Sequence, residues 1–304
     1  MTITTEKQEE SMQTSRKVGL IGVGLMGHGI AANILRGGHS LCFLDHHGNQ
    51  PVTDLLSAGA VAKSSGREVA EAAEIVILCV TGSPQVEAVL FEPGGVLEGL
   101  VPGSIVIDCS TALPSSTERV AARVEAAGGR FMDAAMTRTP KEAEEGRLNL
   151  IVGAPEALFA EAHPLLQCFA ENIVHAGQVG AGHTLKLLHN FVSLGFTAVL
   201  AEAAAASRRA GIDDTALLEV LGKGGGGGVI LERLRPYIAS GDPSGFRFSV
   251  ANALKDIGYY RTMTDDLAAE HGVAEAVLAL YQEASDSGHG ESPVPELVSL
   301  LARG

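Results

Sequence analysis

The sequence has 304 residues, a formal net charge of −14 at pH 7, 46% apolar residues and 19% charged residues. This length predicts about two domains, and the apolar content suffices for a large core, which excludes an intrinsically disordered chain. The acidic balance excludes nucleic acid as the main partner, because binding a phosphate backbone requires clustered lysine and arginine. The 37 glycines follow no G-X-Y period, so they indicate tight turns and close backbone contacts rather than collagen.

The chain begins with a polar segment of mixed charge, residues 1–16, which we predict to be a disordered extension. It lacks the apolar centre of a secretory signal, and no run of about 20 uncharged apolar residues follows, so we expect no membrane partner. We expect no metal either, because the cysteines form no C-x-x-C pair and no metal-like spacing with histidine. We interpret them as buried thiols of a cytoplasmic protein. They are Cys42, Cys79, Cys109 and Cys168.

Short apolar runs alternate with helix-like segments through the first half of the chain. The predicted strands are Lys17–Ile21, Ser40–Leu44, Ile75–Val80, Ser104–Ile107, Arg130–Ala134, Leu148–Val152 and Asn172–His175. The predicted helices between them are Leu25–Leu35, Arg67–Ala73, Pro84–Leu90, Ser115–Ala127 and Pro155–Cys168. This alternation is typical of βαβ units, and the continuous apolar runs indicate a mostly parallel sheet that is buried on both faces.

The strand signal disappears after about residue 178. Leu185–Arg209 predicts one long helix, and the glycine run at residues 224–228 predicts a loop between later helices. We therefore predict an α/β fold that divides near residue 178, with a mostly parallel sheet in residues 17–178 and an all-helical part in residues 179–304.

A G-x-G-x-x-G pattern at residues 22–27 directly follows the first predicted strand and opens a helix, which is the context of a dinucleotide-binding turn. Gly22 would permit the tight turn, Gly24 would let the backbone approach a pyrophosphate, and Gly27 would let the helix pack on the strand. The helix N-terminus then offers free N–H groups to the phosphates. Asp45 ends the second strand, where a carboxylate binds both ribose hydroxyls and repels a 2′-phosphate, which predicts NAD (NADH) rather than NADP.

Residues 180–190 place a single lysine on an apolar helix that follows two glycines. Lys186 and Asn190 are four residues apart and share a face of this helix. A lysine flanked by leucines is either partly buried, with a lowered pKa that suits acid/base catalysis, or extends its ammonium to solvent along an amphipathic helix. The helical pattern alone leaves both interpretations open.

Four segments together resemble the β-hydroxyacid dehydrogenase family, which includes 3-hydroxyisobutyrate dehydrogenase and tartronate semialdehyde reductase. Residues 22–27 resemble its G-x-G-x-M-G cofactor motif, and residues 108–111 resemble its D-x-S-T segment beside the nicotinamide. Residues 182–190 are similar to its G-x-x-x-K-x-x-N-N catalytic segment, with histidine in place of the first asparagine. Residues 255–256 resemble its K-D pair in the helical domain. The resemblance implies that residues 17–178 form a Rossmann NAD-binding domain and that a long interdomain helix leads into an all-helical substrate and oligomerisation domain over residues 179–304.

The resemblance implies that Lys186 accepts the substrate hydroxyl proton during oxidation and donates it during reduction, while hydride passes between the substrate carbon and nicotinamide. It implies that Asn190 holds the substrate hydroxyl or acid group, that Thr111 lies near nicotinamide and substrate, and that the protein is a homodimer or homotetramer. The expected cofactor contacts are Gly22, Gly24, Leu25, Met26, Gly27, Asp45, Val80, Thr81, Thr111 and Lys255.

The substrate motif departs from the family pattern. Where the family reads D-A-P-V-S-G-G, residues 133–139 read D-A-A-M-T-R-T, so Thr137 keeps a hydroxyl donor while Arg138 and Thr139 replace two glycines. Arginine offers a full charge and a planar set of donors, and the Arg-Thr pair is similar to the substrate loop of the family's sulfolactaldehyde reductases. We therefore predict a small anionic substrate, 3-sulfolactaldehyde or 2,3-dihydroxypropane-1-sulfonate, with 3-hydroxyisobutyrate or tartronate semialdehyde as alternatives.

Other interpretations remain for the loop and for the whole chain. Arg138 could instead form a structural ion pair with Glu142 or Glu144. The whole protein could be a non-catalytic dinucleotide-binding scaffold or an imine reductase of related architecture. Lys186 is evidence against both, because a scaffold needs no acid/base group and imine reductases usually carry another residue there.

Overall fold

The computed structural model describes residues 15–303, so the predicted disordered extension lies outside the described residues except for Ser15 and Arg16. The described residues form an eight-stranded sheet of order β3-β2-β1-β4-β5-β6-β7-β8. Its strands are β1 (Lys17–Ile21), β2 (Ser40–Leu44), β3 (Val61–Lys63), β4 (Ile75–Leu78), β5 (Ile105–Asp108), β6 (Arg130–Thr137), β7 (Leu148–Gly153) and β8 (Ala170–Gly177). Neighbouring strands are parallel except β6 and β7, which confirms the mostly parallel sheet.

Helices cover both faces of the sheet. Along β4, Ile75 and Ile77 belong to the core on one face, whereas Val76 and Leu78 belong to the core on the other. A strand covered on both faces needs apolar side chains at every position, which explains the continuous apolar runs. Strand β3 was not predicted because it lies at the sheet edge, where Val61 is 53% exposed and no buried run exists.

The helices of the sheet-containing half follow the strands closely. They are α1 (Gly27–Arg36), α2 (Thr53–Ser57), α3 (Gly66–Ala72), α4 (Ser83–Phe91), α5 (Val96–Gly99), α6 (Pro114–Ala126), α7 (Pro140–Glu144) and α8 (Glu156–Leu166). The loops after β1, β2, β4 and β5 leave the carboxyl edge of the sheet, where doubly wound folds bind their ligands.

The C-terminal part is helical, as predicted. Its helices are α9 (Ala181–Arg209), α10 (Asp214–Lys223), α11 (Val229–Ser240), α12 (Val250–Asp266), α13 (Gly272–Ala284) and α14 (Leu297–Arg303). Leu194 and Ala201 of α9 pack with Leu231 and Leu234 of α11 in a separate core. The glycine run at residues 224–228 forms the loop between α10 and α11.

Helix α9 is the long interdomain helix. It contacts β6 and β7 of the sheet and also α12 and α14 of the helical part. Within residues 15–303 it is the one helix long and apolar enough to cross a membrane by length and composition, and 44% of its most apolar 18-residue window is buried in the molecule. That composition is weak evidence for a membrane span, because a helix shared by two cores needs apolar residues around much of its surface.

Candidate active site

The glycine turn after β1 combines two closed positions with one open position. Gly22 has φ +96°, and a Cβ there would lie 2.2 Å from the carbonyl oxygen of Cys79. A Cβ at Gly27 would lie 1.9 Å from the carbonyl oxygen of Gly22, whereas Gly24 has nothing within 4 Å of that position. The open backbone at Gly24, beside the N-terminus of α1, therefore fits a dinucleotide pyrophosphate. Two further predicted contacts, one 62% exposed and the other half-buried, are Leu25 and Met26.

An asparagine side chain links this turn to the end of β2 by hydrogen bonds. Asn49 Oδ1 accepts the N–H of Val23 at 3.3 Å, and Asn49 Nδ2 donates to the carbonyl of Leu44 at 2.9 Å. Sequence reasoning missed this residue, because its only signal was an amide side chain shortly after Asp45. Asp45 is exposed, and its backbone N–H donates to the carbonyl of Lys63 at 2.8 Å, which leaves its carboxylate accessible for ribose hydroxyls.

Helix α12 closes over the loop that follows β4. Lys255 Nζ donates to the carbonyl of Thr81 at 2.5 Å and lies 5.3 Å from the ring centroid of Tyr259. Tyr259 Oη accepts the N–H of Ser83 at 3.2 Å, and a Cβ at Gly82 would lie 2.6 Å from that oxygen. Gly82 therefore admits Tyr259, and the structure brings two predicted cofactor residues, Thr81 and Lys255, into contact.

The segment after β5 is tied to two neighbours. Ser110 Oγ accepts the N–H of Val80 at 3.1 Å, and its N–H donates to Asp108 Oδ1 at 2.9 Å. The carbonyl of Ser110 lies 3.2 Å from Nε2 of His183, a fully buried residue of α9. Thr111 follows as a half-buried residue of the same segment, so the loop predicted to lie beside the nicotinamide is linked to the start of α9.

A buried carboxylate anchors the first turn of α9. Asp133 on β6 accepts the N–H of Gly180 at 2.7 Å and the N–H of His183 at 2.8 Å. These bonds satisfy backbone groups that a helix N-terminus otherwise leaves unpaired. A Cβ at Gly182 would lie 2.6 Å from Asp133 Oδ2, so this glycine makes room for the carboxylate. Lys186, one turn further along, is positioned by this anchor.

Lys186 has the properties of an acid/base group. Its side chain is half-buried and, among the residues that the structure describes, its ammonium forms no hydrogen bond or ion pair. The pKa of Lys186 is lowered to about 8, chiefly by burial; Asp256 raises it, and the cations Lys255 and Arg233 lower it. Lys186 is then neutral in about a tenth of the molecules at pH 7, which suits proton transfer in either direction.

Asn190 is held by a carboxylate from α12. Its Nδ2 donates to Asp256 Oδ2 at 2.6 Å, and Lys255 Nζ lies 3.0 Å from Asp256 Oδ1. Asn190 Oδ1 lies 3.0 Å from Nδ1 of His189, the residue in the place of the family's first asparagine. Burial and the nearby cation Lys186 lower the pKa of His189, although its bond to Asn190 opposes them. The structure thus joins Asn190, Asp256 and Lys255 in one network, and the charges of Asp256 and Lys255 act on Lys186 without a direct bond.

Arg138 adopts φ +83°, a left-handed conformation that glycine enters without strain. This explains why the family motif has glycine in this segment. The Arg138 guanidinium donates to the carboxylate of Glu171 and to the carbonyl of Arg147. The acidic partner is therefore Glu171 on β8 rather than Glu142 or Glu144.

The two threonines of the substrate motif bond to neighbouring polar side chains. Thr139 caps α7, since its N–H and hydroxyl both donate to Glu142, at 3.0 and 2.5 Å. Thr137 Oγ1 accepts from Asn149 Nδ2 at 3.1 Å. Both threonines are half-buried at the end of β6.

Both halves of the chain match family models. One, described as the NAD binding domain of 6-phosphogluconate dehydrogenase, matches residues 17–177, and another, described as NAD-binding of NADP-dependent 3-hydroxyisobutyrate dehydrogenase, matches residues 180–301. The chain belongs to the β-hydroxyacid dehydrogenase family. It is therefore an oxidoreductase that uses NAD(H), which confirms the predicted enzyme class and cofactor.

Several named relatives support the same reaction class. The 2-hydroxy-3-oxopropionate reductase of Escherichia coli is 37% identical over 218 residues, 71% of this chain and 73% of that protein. The 3-sulfolactaldehyde reductase of Escherichia coli is 31% identical over 274 residues, 90% of this chain and 91% of that protein. The solved 3-hydroxyisobutyrate dehydrogenase of Salmonella typhimurium is 28% identical with a TM-score of 0.83, covering 94% of this chain and 100% of that one. These names differ in substrate, so they support NAD-dependent β-hydroxyacid dehydrogenase activity and no single substrate.

Proposed function

We propose that the protein interconverts a short β-hydroxy acid or hydroxysulfonate and its aldehyde, with Lys186 as the general acid/base. The observation that supports this most directly is the lowered pKa of Lys186, about 8, on a half-buried ammonium without a bonding partner in the described part of the chain. Asp133 fixes the backbone of the helix turn that precedes Lys186. An acid/base group that moves little between turnovers keeps its reacting geometry.

The proton and the hydride leave the substrate at different atoms. In oxidation, the neutral Lys186 amine takes the hydroxyl proton as the carbinol carbon loses a hydride, and in reduction the ammonium returns the proton to the aldehyde oxygen. Bound NAD supplies the nicotinamide ring that takes up or returns the hydride. Asn190, held by Asp256, orients the substrate oxygen or acid group, and Thr111 lies on the nicotinamide side. The open turn at Gly24 receives the pyrophosphate.

We propose that the substrate pair is 3-sulfolactaldehyde and 2,3-dihydroxypropane-1-sulfonate. Arg138 and Thr139 support a sulfonate, because a guanidinium matches an anion with several oxygens. Arg138 is already paired with Glu171, whose side chain is 48% exposed. Exposed pairs of this kind contribute about 0–1 kcal/mol, so an incoming anion can displace Glu171. The alternatives are 3-hydroxyisobutyrate and tartronate semialdehyde.

Initial rates with these substrates and NAD(H) test the substrate proposal. A sulfonate substrate should give the highest kcat/KM, and Arg138→Ala should reduce that value by about tenfold or more, since a charge-assisted bond is lost. Arg147→Ala is the matched control, because Arg147 joins the same ion-pair cluster through Glu145 and Glu171. Absent sulfonate turnover, or turnover undiminished in Arg138→Ala, would reject the sulfonate, while turnover of a carboxylate substrate would leave the dehydrogenase class intact.

We also propose that the cytoplasmic enzyme self-associates through α9. Four apolar side chains on this helix follow a spacing of three, four and seven residues, and each is 40% or more exposed: Leu185, Leu188, Val192 and Val199. A stripe of this kind is typical of helix–helix contacts, and a second copy of the chain supplies an identical one. Light scattering should show a smaller particle for Val192→Glu and an unchanged one for Val220→Glu, a valine 71% exposed on α10. Equal masses for both variants would place the subunit contact elsewhere.

A further inference from the structure

Helix α11 carries an arginine that the proposed mechanism does not use. Arg233 is half-buried, and its guanidinium carbon lies 5.3 Å from the ring centroid of Phe246. Across the described residues, Arg233 takes part in no hydrogen bond and in no ion pair of 4.0 Å or less. Its ring contact orients the side chain but supplies no oxygen acceptor.

Two arginines near Arg233 in the helical part are paired with carboxylates. Arg235, two residues further along α11, bonds Glu232 through two nitrogens at 2.8 Å each. Arg208 bonds Asp214 at 3.0 Å. A guanidinium that loses water without gaining acceptors is costly, and it remains charged in any case. Arg233 therefore has unused donor capacity for an anion.

Arg233 lies on α11, which packs against α9, the helix that carries Lys186 and His189. Its charge lowers the pKa of both Lys186 and His189 on α9, and Glu142 on α7 raises the pKa of Arg233 against the effect of burial. The Glu142 carboxylate already accepts from Thr139. Lys186 and Arg233 are therefore close enough for their charges to interact, and Glu142, the carboxylate that acts on Arg233, is already bonded to a helix cap.

We propose that Arg233 binds the oxyanion group of the substrate, carboxylate or sulfonate, from the helical side of the site. This assignment rests on the proposed function and adds to it the residue that recognises the acid group. The planar guanidinium donates two parallel hydrogen bonds to such a group, and the bound anion would offset the repulsion between Arg233 and Lys186. Arg233 would then make the enzyme specific for substrates that carry an acid group.

The test compares Arg233→Met with Arg235→Met, its matched control on the same helix. With the best acidic substrate, Arg233→Met should raise KM about 10- to 100-fold and leave the KM for NAD unchanged, because a charge-assisted bond to the acid group is lost. The pH at which the oxidation rate is half-maximal should also rise. Arg233 lowers the pKa of Lys186, so removing its charge raises that pKa. Arg233→Lys should give an intermediate KM, since it keeps the charge without the planar donors.

A binding measurement separates this proposal from the proposed function. Propionate and ethanesulfonate, which cannot react, are titrated into the enzyme–NADH complex and followed by NADH fluorescence. Arg233→Met should weaken at least one of them tenfold or more, whether or not the wild type oxidises any of the hydroxy acids. Unchanged binding and KM in a variant that melts like the wild type, or equal losses in Arg235→Met, would overturn the assignment.

Discussion

The pH dependence of substrate oxidation tests the role of Lys186 most stringently. Burial lowers the pKa of Lys186 to about 8, from an ordinary lysine value of about 10.4. At pH 7 the reactive neutral fraction is then about one tenth, whereas an ordinary lysine would be neutral in about one molecule in 2,500. The site therefore gains a factor of about 200 in reactive base. We expect kcat for oxidation to rise about tenfold from pH 7 to pH 9, with an inflection near 8, and kcat for reduction to fall over the same range.

Two substitutions at this position separate charge from proton transfer. Lys186→Arg keeps a cation that does not deprotonate, so kcat for oxidation should fall by about 10²- to 10⁴-fold and the inflection should disappear. Lys186→Met removes the cation, and the affinity for NADH, measured by fluorescence, should remain close to that of the wild type. Lys223→Met is the control, since Lys223 is an exposed lysine paired with Glu219.

The same pKa predicts a stability effect with a definite sign. The folded-state pKa of Lys186 lies below its unfolded value, so the native protein binds fewer protons between about pH 8 and pH 10.4, and its stability rises with pH across that window. Below pH 8 the buried charge costs up to about 3 kcal/mol, so Lys186→Met should melt about 5 °C higher at pH 7.

The catalytic role of Lys186 would be refuted if Lys186→Arg retained kcat for oxidation within about threefold, or if the wild-type pH profile of oxidation were flat.

Further expectations concern the cofactor turn and the network behind Lys186. Asp45→Ser should increase kcat/KM with NADP relative to NAD by about tenfold or more, since it removes the carboxylate that repels a 2′-phosphate; a ratio equal to that of the wild type would show that another residue sets the preference. Gly24→Ala should fold normally but bind NADH more weakly, whereas Gly27→Ala should lower the melting temperature, because only the latter brings a Cβ to 1.9 Å from a carbonyl oxygen; equal melting would contradict this geometry. Asp256→Asn should lower the pH of the oxidation inflection, since Asp256 raises the pKa of Lys186, and an upward shift would contradict that sign.

Sequence patterns located the central strands because each is apolar along its whole length. Strands such as β1 and β4 lie between two helical layers, so local composition reflects their burial directly. The exposed edge strand β3 carries no such signal. The antiparallel pairing of β6 with β7 is also absent from the local pattern, because an apolar run looks the same in either direction.

The site divides in the same way. The glycines of the cofactor turn, Lys186 and Asn190 could be singled out from sequence, because backbone geometry and acid/base chemistry restrict which residue types serve there. The partners that act on them come from distant segments. Asp256 lies 66 residues from the asparagine that it binds, and Asp133 lies 50 residues from the helix turn that it anchors.

The sequence by itself determined the fold class, the dinucleotide turn and the candidate catalytic lysine, since these depend on local patterns of burial, glycine and charge. Tertiary structure alone decided that Arg138 pairs with Glu171, and that the unpaired charge of Arg233 acts on Lys186 while no described residue bonds its guanidinium. The physical reason is that residue type fixes the charge that a side chain can carry, whereas its desolvation and its partners depend on which distant elements pack around it. The chain as a whole is acidic, yet its folding brings the cations Lys255 and Arg233 near Lys186.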